Sequence, residues 1–220
     1  MNETYYSARS ESQSEIVINK SRFITTLVPI ADQNDAIEKV KIISKKYSDA
    51  THNCYAFISN KIATEQRFSD DGEPQGTAGI PMLEVLKKRR IYMTLVVVTR
   101  YFGGVKLGAN GLVGAYSRSV SEALNAADIV ENAYSEIVRV KCDYAYYKKV
   151  ESTLLDSGAE IDDILYDEKV TLIVRMKGAD NDSVKDKIID TSLGQAEIET
   201  VEIKYCEYKL RGTGYENHID

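Results

Sequence analysis

Cysteine and histidine are scarce in this 220-residue sequence, which has three cysteines and two histidines. Cys54, Cys142 and Cys206 are odd in number, widely spaced and never paired as CxxC, so neither a disulfide framework nor a zinc site is predicted. No HExxH or GxSxG motif is present, which argues against a metallopeptidase and a serine hydrolase. We therefore expect no cofactor and no metal ion, and a reducing, cytoplasmic compartment.

Long apolar runs are also missing. The aliphatic run from Leu95 to Val98 is too short to cross a bilayer, and the N-terminal segment lacks a basic start followed by an apolar stretch. The sequence therefore predicts neither a membrane-spanning nor a secreted protein. Its length and its apolar fraction of 43% are instead typical of two medium-sized domains, each with its own core.

Acidic residues exceed basic ones, and the net charge is −6. The excess lies in residues 136–210, whereas residues 1–135 are nearly balanced. The stretch from Val85 to Ser121 has no carboxylate at all, and its cations are Lys87, Lys88, Arg89, Arg90, Arg100, Lys106 and Arg118. This stretch can create a local positive field on an otherwise acidic protein.

Apolar periodicity in the first half predicts strands and helices around one sheet. A strand rich in β-branched residues, Tyr92 to Thr99, is expected at the centre of that sheet because its aliphatic run is continuous. A glycine-rich loop and a second long helix follow it directly. The other predicted elements are a hairpin within residues 16–30, a helix at 32–47 capped by Asp32, strands at 52–59 and 64–68, and a short helix at 79–88.

From Ser135 the pattern changes to β-α-β-β-α-β, which predicts the ferredoxin-like split unit. The predicted order is a strand at 136–142, a helix at 145–157, strands at 160–166 and 170–177, a helix at 182–190 and a strand at 196–205. We therefore expect an α+β protein with domains at residues 1–134 and 135–210. Residues 211–220 contain little apolar material and are expected to form a flexible tail.

Two segments, Arg67 to Pro81 and Val98 to Ser117, resemble the IMPACT/YigZ family, and the second, TRYFGGVKLGANGLVGAYS after Val98, is highly specific. The resemblance covers essentially the whole chain. It implies an N-terminal α/β domain similar to domain two of a small-subunit ribosomal protein. It also implies a C-terminal ferredoxin-like domain similar to the last domain of elongation factor G.

The resemblance also implies a link to translation. Eukaryotic relatives of the N-terminal domain act in translational control by competing for the scaffold that activates a starvation-responsive initiation-factor kinase. We therefore expect a non-catalytic binding protein whose partner is RNA or a component associated with the ribosome or with translation; the oligomeric state stays open. The family motif after Val113 commonly has an arginine where this chain has Gly114, so a contact made there could depend on Arg118 instead.

The candidate contact surface combines cations, aromatic side chains and a glycine loop at a helix N-terminus. Arginine and aromatic planes stack on unpaired bases, and a helix N-terminus attracts phosphate. The candidate residues are Lys20, Arg22, Arg67, Arg100, Tyr101, Phe102, Lys106 and Arg118, the loop glycines Gly103, Gly104 and Gly108, and the facing turn residues Glu73, Gln75, Gly76 and Thr77. The alternative is that the glycines only permit a tight turn and that Tyr101, Phe102 and Tyr116 are core residues.

Other functions stay open at this level. The loop matches neither GxxxxGK[ST] nor GxGxxG, yet the groove beside it could serve a small-molecule enzyme or bind a nucleotide or phosphate. A purely protein-binding regulator is a further alternative. His52 and Cys54 share a predicted strand face, which would suit thiol catalysis, although a lone strand cysteine is usually a core residue. Asp70, Asp71 and Glu73 suit a divalent metal by residue type, but a turn explains them better.

Overall fold

In the computed structural model, described for residues 4–178 and 181–210, the chain forms two compact units. They are built mainly from Tyr5–Glu131 and Asn132–Tyr208. The predicted tail at 211–220 lies outside the described residues. The described part contains five helices and two sheets, which confirms the predicted α+β class. Within these residues no helix combines the length and apolarity needed to span a membrane.

The N-terminal unit is built around a five-stranded sheet with the order β2-β3-β6-β4-β5. The predicted hairpin and the predicted central strand are both confirmed, since β2 pairs with β3 and β6 lies between β3 and β4. The elements are β1 (Tyr5–Ala8), β2 (Ser12–Ile18), β3 (Ser21–Pro29), α1 (Gln33–Lys46), β4 (His52–Ile58), β5 (Gln66–Ser69), α2 (Gly79–Lys88), β6 (Thr94–Tyr101) and α3 (Gly108–Ala126).

Helices cover both faces of this sheet. The side chain of Asp32 caps α1 by accepting the N–H groups of Asn34 and Asp35, and α1 packs its apolar face on one side of the sheet. Helices α2 and α3 cover the other side, where Phe23 and Tyr116 are fully buried. Since β6 lies between two layers of helices, its continuous run of β-branched residues is buried on both faces.

The end of β6 differs from the sequence-based boundary. The strand continues through Arg100 to Tyr101, two residues beyond the predicted Thr99. Phe23 of β3 and His52 of β4 are the register partners of Arg100 on its two sides. Arg100 is therefore a strand residue on the face that α3 covers, and not the first residue of an exposed loop.

The C-terminal unit has the element order β-α-β-β-α-β that the sequence predicts. Strand β9 pairs antiparallel with both β7 and β8, and β10 pairs with the other side of β7, which is the ferredoxin-like order. The elements are β7 (Ile129–Cys142), α4 (Tyr144–Asp156), β8 (Glu160–Tyr166), β9 (Val170–Lys177), α5 (Asp182–Thr191) and β10 (Glu197–Lys209). Alternate residues of β9, including Leu172 and Val174, pack against the helices in a separate core.

The glycine loop between β6 and α3 packs against the turn of the β2–β3 hairpin. A Cβ atom on Gly103 would lie 2.1 Å from the backbone carbonyl carbon and oxygen of Lys20. The Gly103 N–H also donates to Ser21 Oγ at 3.2 Å. Only glycine permits so close an approach of the two backbones.

We expect Gly103→Ala to lower the free energy of unfolding by about 1–3 kcal/mol, because backbone must move to admit the methyl group. Gly114→Ala is the matched control, since Gly114 lies inside α3, where an added methyl group would meet no atom of a neighbouring element within 4 Å. That substitution should stabilise the protein by about 0.5–1 kcal/mol through helix propensity. Urea unfolding measures the free energy of unfolding of both variants. Equal changes in the two variants would contradict the close approach at Gly103.

Candidate functional site

A cavity of about 370 Å³ lies where β6 ends and α3 begins. Its wall has three contributions: Arg100 near the end of β6 with Phe102 just after it, Glu73 and Pro74 from the turn after β5, and the first residues of α3. His52 of β4 and Lys106 of the glycine loop also line it. The predicted groove lies between the glycine loop and the turn of residues 70–78, here called the acidic turn, and it corresponds to a cavity within one unit.

Arg100 lines this cavity and is only 5% exposed. Its guanidinium carbon lies 5.4 Å from the ring centre of Phe23 and 5.6 Å from that of Phe102. Arg100 is therefore a buried residue of the cavity wall and not an exposed cation of the predicted contact surface. The cause is the extension of β6, which turns the Arg100 side chain toward the face covered by α3.

A buried ion pair holds Arg100 in place. Its Nη1 donates to Glu73 Oε1 at 2.5 Å, and the hydroxyl of Tyr116 donates to the same oxygen at 2.7 Å. Nη2 lies 3.4 Å from Ser21 Oγ, to which it donates. Burial raises the pKa of Tyr116 above its usual value, so its hydroxyl stays protonated and able to donate. The charge of Glu73 is thus compensated by partners from two other elements.

One nitrogen of this pair is unsatisfied. Arg100 Nε is buried and has no hydrogen-bond partner among the described residues. Buried donors are nearly always paired in folded proteins, because an unmade hydrogen bond leaves the desolvation of the donor uncompensated. The unpaired Nε belongs to a side chain that lines the cavity, although the atom itself is closed to solvent in the present side-chain position.

His52 and Cys54 extend the same polar cluster along β4. His52 Nε2 lies 3.8 Å from Glu73 Oε2, and its Nδ1 lies 2.7 Å from the backbone oxygen of Asp71. The Cys54 thiol donates to the Asp70 backbone oxygen at 2.9 Å and is completely buried. Burial raises the pKa of the thiol to about 12, which leaves little thiolate near neutral pH. These features favour the core interpretation of Cys54 over thiol catalysis.

The acidic turn is a structural element that presents Glu73. Asp70 Oδ1 accepts the N–H groups of Ala78 and Gly79, and its Oδ2 accepts that of Gly76. Within the described residues no group of three or more His, Cys, Asp and Glu side chains is arranged to hold a metal ion. Sequence reasoning assigned a turn here but missed the role of Asp70, although the Asp-Asp-Gly spacing is typical of a carboxylate that caps nearby backbone.

The start of α3 supplies further donors. Its N-cap residue, Leu107, makes no side-chain capping hydrogen bond, so the first N–H groups of this 19-residue helix are not satisfied by a cap. Gly104 and Gly108 have positive φ values of 82° and 73°, which favour glycine in this loop. Gly108 and Ala109, the first residues of the helix, line the cavity.

The predicted cations are less available than the sequence suggests. Arg22 pairs with Glu15 at 2.9 Å, and Arg118 pairs with Glu122 at 2.7 Å. By contrast, Lys106 is exposed, lines the cavity and has no ion-pair partner in the described part of the chain. Lys20 and Arg67 are also exposed and unpaired among these residues but do not line the cavity, so Lys106 is the available lysine in its wall.

The remaining candidates occupy different places. Tyr116 is a core residue, whereas Phe102 is 47% exposed beside the cavity and Tyr101 is half-buried with its hydroxyl on Asp49. The other candidates do not line the cavity. These are Lys20 in the hairpin turn, Arg67 on β5, and Gln75, Gly76 and Thr77 in the turn after β5, where Thr77 Oγ1 donates to the Pro74 backbone oxygen. Arg22, Tyr101, Gly103, Gly104 and Arg118 do not line it either.

Comparisons with known families match both units. The Impact N-terminal domain matches residues 19–124, and a domain of unknown function, DUF1949, matches residues 140–195. The IMPACT family member YvyE of Bacillus subtilis (strain 168) is 40% identical over 216 residues, which cover 98% of this chain and 97% of the relative. The likeness to this bacterial relative thus extends along nearly the whole of both chains.

Other relatives support the same assignment. The IMPACT family member YigZ of Escherichia coli (strain K12) is 33% identical over 84% of this chain and 92% of its own length. Protein IMPACT of Homo sapiens is 29% identical over 45% of this chain and 36% of the human protein. A solved structure described as a crystal structure of a hypothetical protein aligns with a TM-score of 0.58 and 30% identity, covering 92% of this chain and 99% of the other.

The buried ion pair makes a testable contribution to stability. We expect Arg100→Met and Glu73→Gln each to lower the free energy of unfolding by about 3–5 kcal/mol, because each leaves a buried partner uncompensated. The double variant should lose clearly less than the sum. Arg118→Met is the control, since its exposed pair with Glu122 is worth at most about 1 kcal/mol. Additive losses in urea unfolding would contradict a coupled pair.

The environment of Cys54 predicts low reactivity. Because burial raises its pKa to about 12, iodoacetamide at pH 8 should label Cys54 far more slowly in the folded protein than in urea. Mass spectrometry of peptides after timed labelling measures both rates. Equal labelling under the two conditions would mean that the thiol is accessible and ionised in the folded protein.

Proposed function

Since the chain belongs to the IMPACT family, we propose that it is a regulatory binding protein linked to translation, and that it contacts RNA at the cavity of its N-terminal unit. The proposal includes a cytoplasmic location, where RNA and ribosomes are found and where the three buried free cysteines stay reduced. The proposed role is binding, and no catalytic step is assigned to the chain.

The observation that carries the proposal is the convergence of three sources of hydrogen-bond donors on one cavity. Lys106 supplies an unpaired ammonium group, Arg100 supplies a buried guanidinium, and the start of α3 supplies backbone N–H groups at the positive end of the helix dipole. Groups of these kinds bind phosphate oxygens in proteins. Because the chain as a whole carries a net charge of −6, it should repel polyanions in general. Donors gathered in one place therefore support a specific contact with an anion.

Phe102 adds a contact suited to a nucleobase. Nearly half of its side chain is exposed, and it lies beside the guanidinium of Arg100. Exposed aromatic side chains next to phosphate-binding cations are the usual contact for unpaired bases, since stacking tolerates any base. This combination favours single-stranded RNA over a duplex, whose bases are already stacked.

A small phosphorylated molecule is the second candidate, and the cavity volume favours it. About 370 Å³ lies within the range of pockets that enclose small ligands. A ligand of this kind would use the same donors without a contact outside the cavity. A protein partner is the third candidate, and it would leave Lys106 without a phosphate to bind.

RNA binding can be tested by fluorescence anisotropy with labelled single-stranded RNA, and separately with purified ribosomal subunits, across a salt series. The parent should bind saturably and more weakly as salt rises. Lys106→Ala should weaken binding and lower the log–log salt slope by about 0.7–1. Lys41→Ala is the matched control, because Lys41 is exposed on α1 at the opposite face of the sheet.

Two results would contradict the proposal. If the parent binds neither RNA nor ribosomal subunits, the ligand belongs to another class. If Lys106→Ala and Lys41→Ala weaken binding equally, the attraction is general and the cavity is not the contact site.

A further inference from the structure

We propose that the cavity binds the terminal phosphate of an RNA chain, so that the protein recognises a phosphorylated RNA end and not the interior of a strand. This inference rests on the proposed function and names the ligand group that the site takes. Four features of the described residues carry it.

The first feature is the unsatisfied donor of Arg100. Glu73 and Ser21 accept from its Nη atoms, while Nε alone lacks a partner. The Arg100 side chain lines the cavity, but Nε is closed to solvent, so a ligand oxygen reaches it only after a small turn of the guanidinium. A phosphate oxygen is a fitting acceptor, because charge-assisted hydrogen bonds to arginine are short and strong.

The second feature is the charge left after internal pairing. The negative charge of Glu73 is balanced by Arg100, while Lys106 and the positive end of α3 have no internal counter-charge among the described residues. The site therefore suits an anion of more than one charge. A terminal phosphate carries between one and two negative charges at neutral pH, whereas a phosphate inside an RNA strand carries one.

The third feature is the small number of available cations in the cavity wall. An extended strand needs a row of available cations along its backbone. Arg22 and Arg118 are each paired with a neighbouring glutamate, and Lys20 and Arg67 are exposed but do not line the cavity. Among the described lining residues, Lys106 is the one lysine or arginine without an ion-pair partner, which suits one phosphate.

The fourth feature is the position of Phe102. Its exposed ring lies beside Arg100 at the cavity, where the base next to a bound terminal phosphate could stack on it. A single aromatic contact of this kind serves the last nucleotide of a chain. A free nucleoside monophosphate offers the same chemistry, so the experiment must separate the two sources.

The test uses labelled RNA of one sequence in three forms: with a 5′-phosphate, with a 3′-phosphate, and with hydroxyl groups at both ends. Adenosine monophosphate is tested separately by isothermal titration calorimetry. We expect one phosphorylated form to bind the parent about tenfold or more tightly than the hydroxyl form, because the end phosphate adds hydrogen bonds to charged groups.

Variants connect this preference to the cavity. Arg100→Lys keeps the charge but removes the Nε donor, and Lys106→Ala removes the exposed cation. Both should reduce the preference for the phosphorylated end, while Lys41→Ala should keep it. Thermal unfolding checks each variant, and Lys106→Ala decides the outcome if Arg100→Lys does not fold, since Lys106 is exposed.

The outcomes separate this inference from the proposed function. Equal binding of all three RNAs to the parent would overturn end recognition and leave RNA binding standing. An end preference that persists in Lys106→Ala would also overturn the assignment to this cavity. Binding of adenosine monophosphate without binding of any RNA would overturn both proposals in favour of a free nucleotide, and binding of none of these probes would overturn both.

Discussion

The buried ion pair between Arg100 and Glu73 is the interaction on which the N-terminal site depends. It joins the central strand of the sheet to the acidic turn, and Tyr116 joins the same carboxylate to α3. Two charges taken out of water are stable only when their hydrogen-bonding capacity is nearly filled by well-placed partners. The surrounding residues meet this condition at every nitrogen of Arg100 except Nε.

The acidic turn and the glycine loop are the parts of the chain that bring partners to Arg100 and shape the cavity. Asp70 fixes the turn through three backbone N–H groups, which places Glu73 opposite Arg100. Gly103 lets the loop lie against the hairpin, and the chain then enters α3 without a side-chain cap. The result is a cavity with fixed donors in its wall, and such preorganisation lowers the entropic cost of binding a ligand.

Much of the fold could be predicted from the sequence because it rests on local patterns. The β-branched run before Thr99 predicts a buried central strand, and Asp32 predicts the start of α1. The ferredoxin-like fold of the C-terminal unit is predicted by the order of its strands and helices along the chain alone. The environment of Arg100 could not be predicted, since its burial depends on two further strand residues and on a glutamate 27 positions away.

The ion pairs of the two exposed arginines also differ in how far the sequence predicts them. The pair of Arg118 with Glu122 has helical i,i+4 spacing and was visible in the sequence, so the lower availability of Arg118 could have been anticipated. Arg22 reaches Glu15 across a hairpin, which requires the strand register. A basic stretch without carboxylates therefore overstates the available positive surface when acidic residues elsewhere fold against it.

The most direct measurement is nuclear magnetic resonance of the arginine Nε–H groups, with the Arg100 signal assigned from its loss in Arg100→Lys. Titration with a short RNA carrying a terminal phosphate should shift the Arg100 Nε–H resonance saturably, since the ligand supplies the acceptor that this buried donor lacks. Binding of the RNA with an unchanged Arg100 Nε–H resonance would contradict the central claim that the buried pair prepares this donor for a ligand.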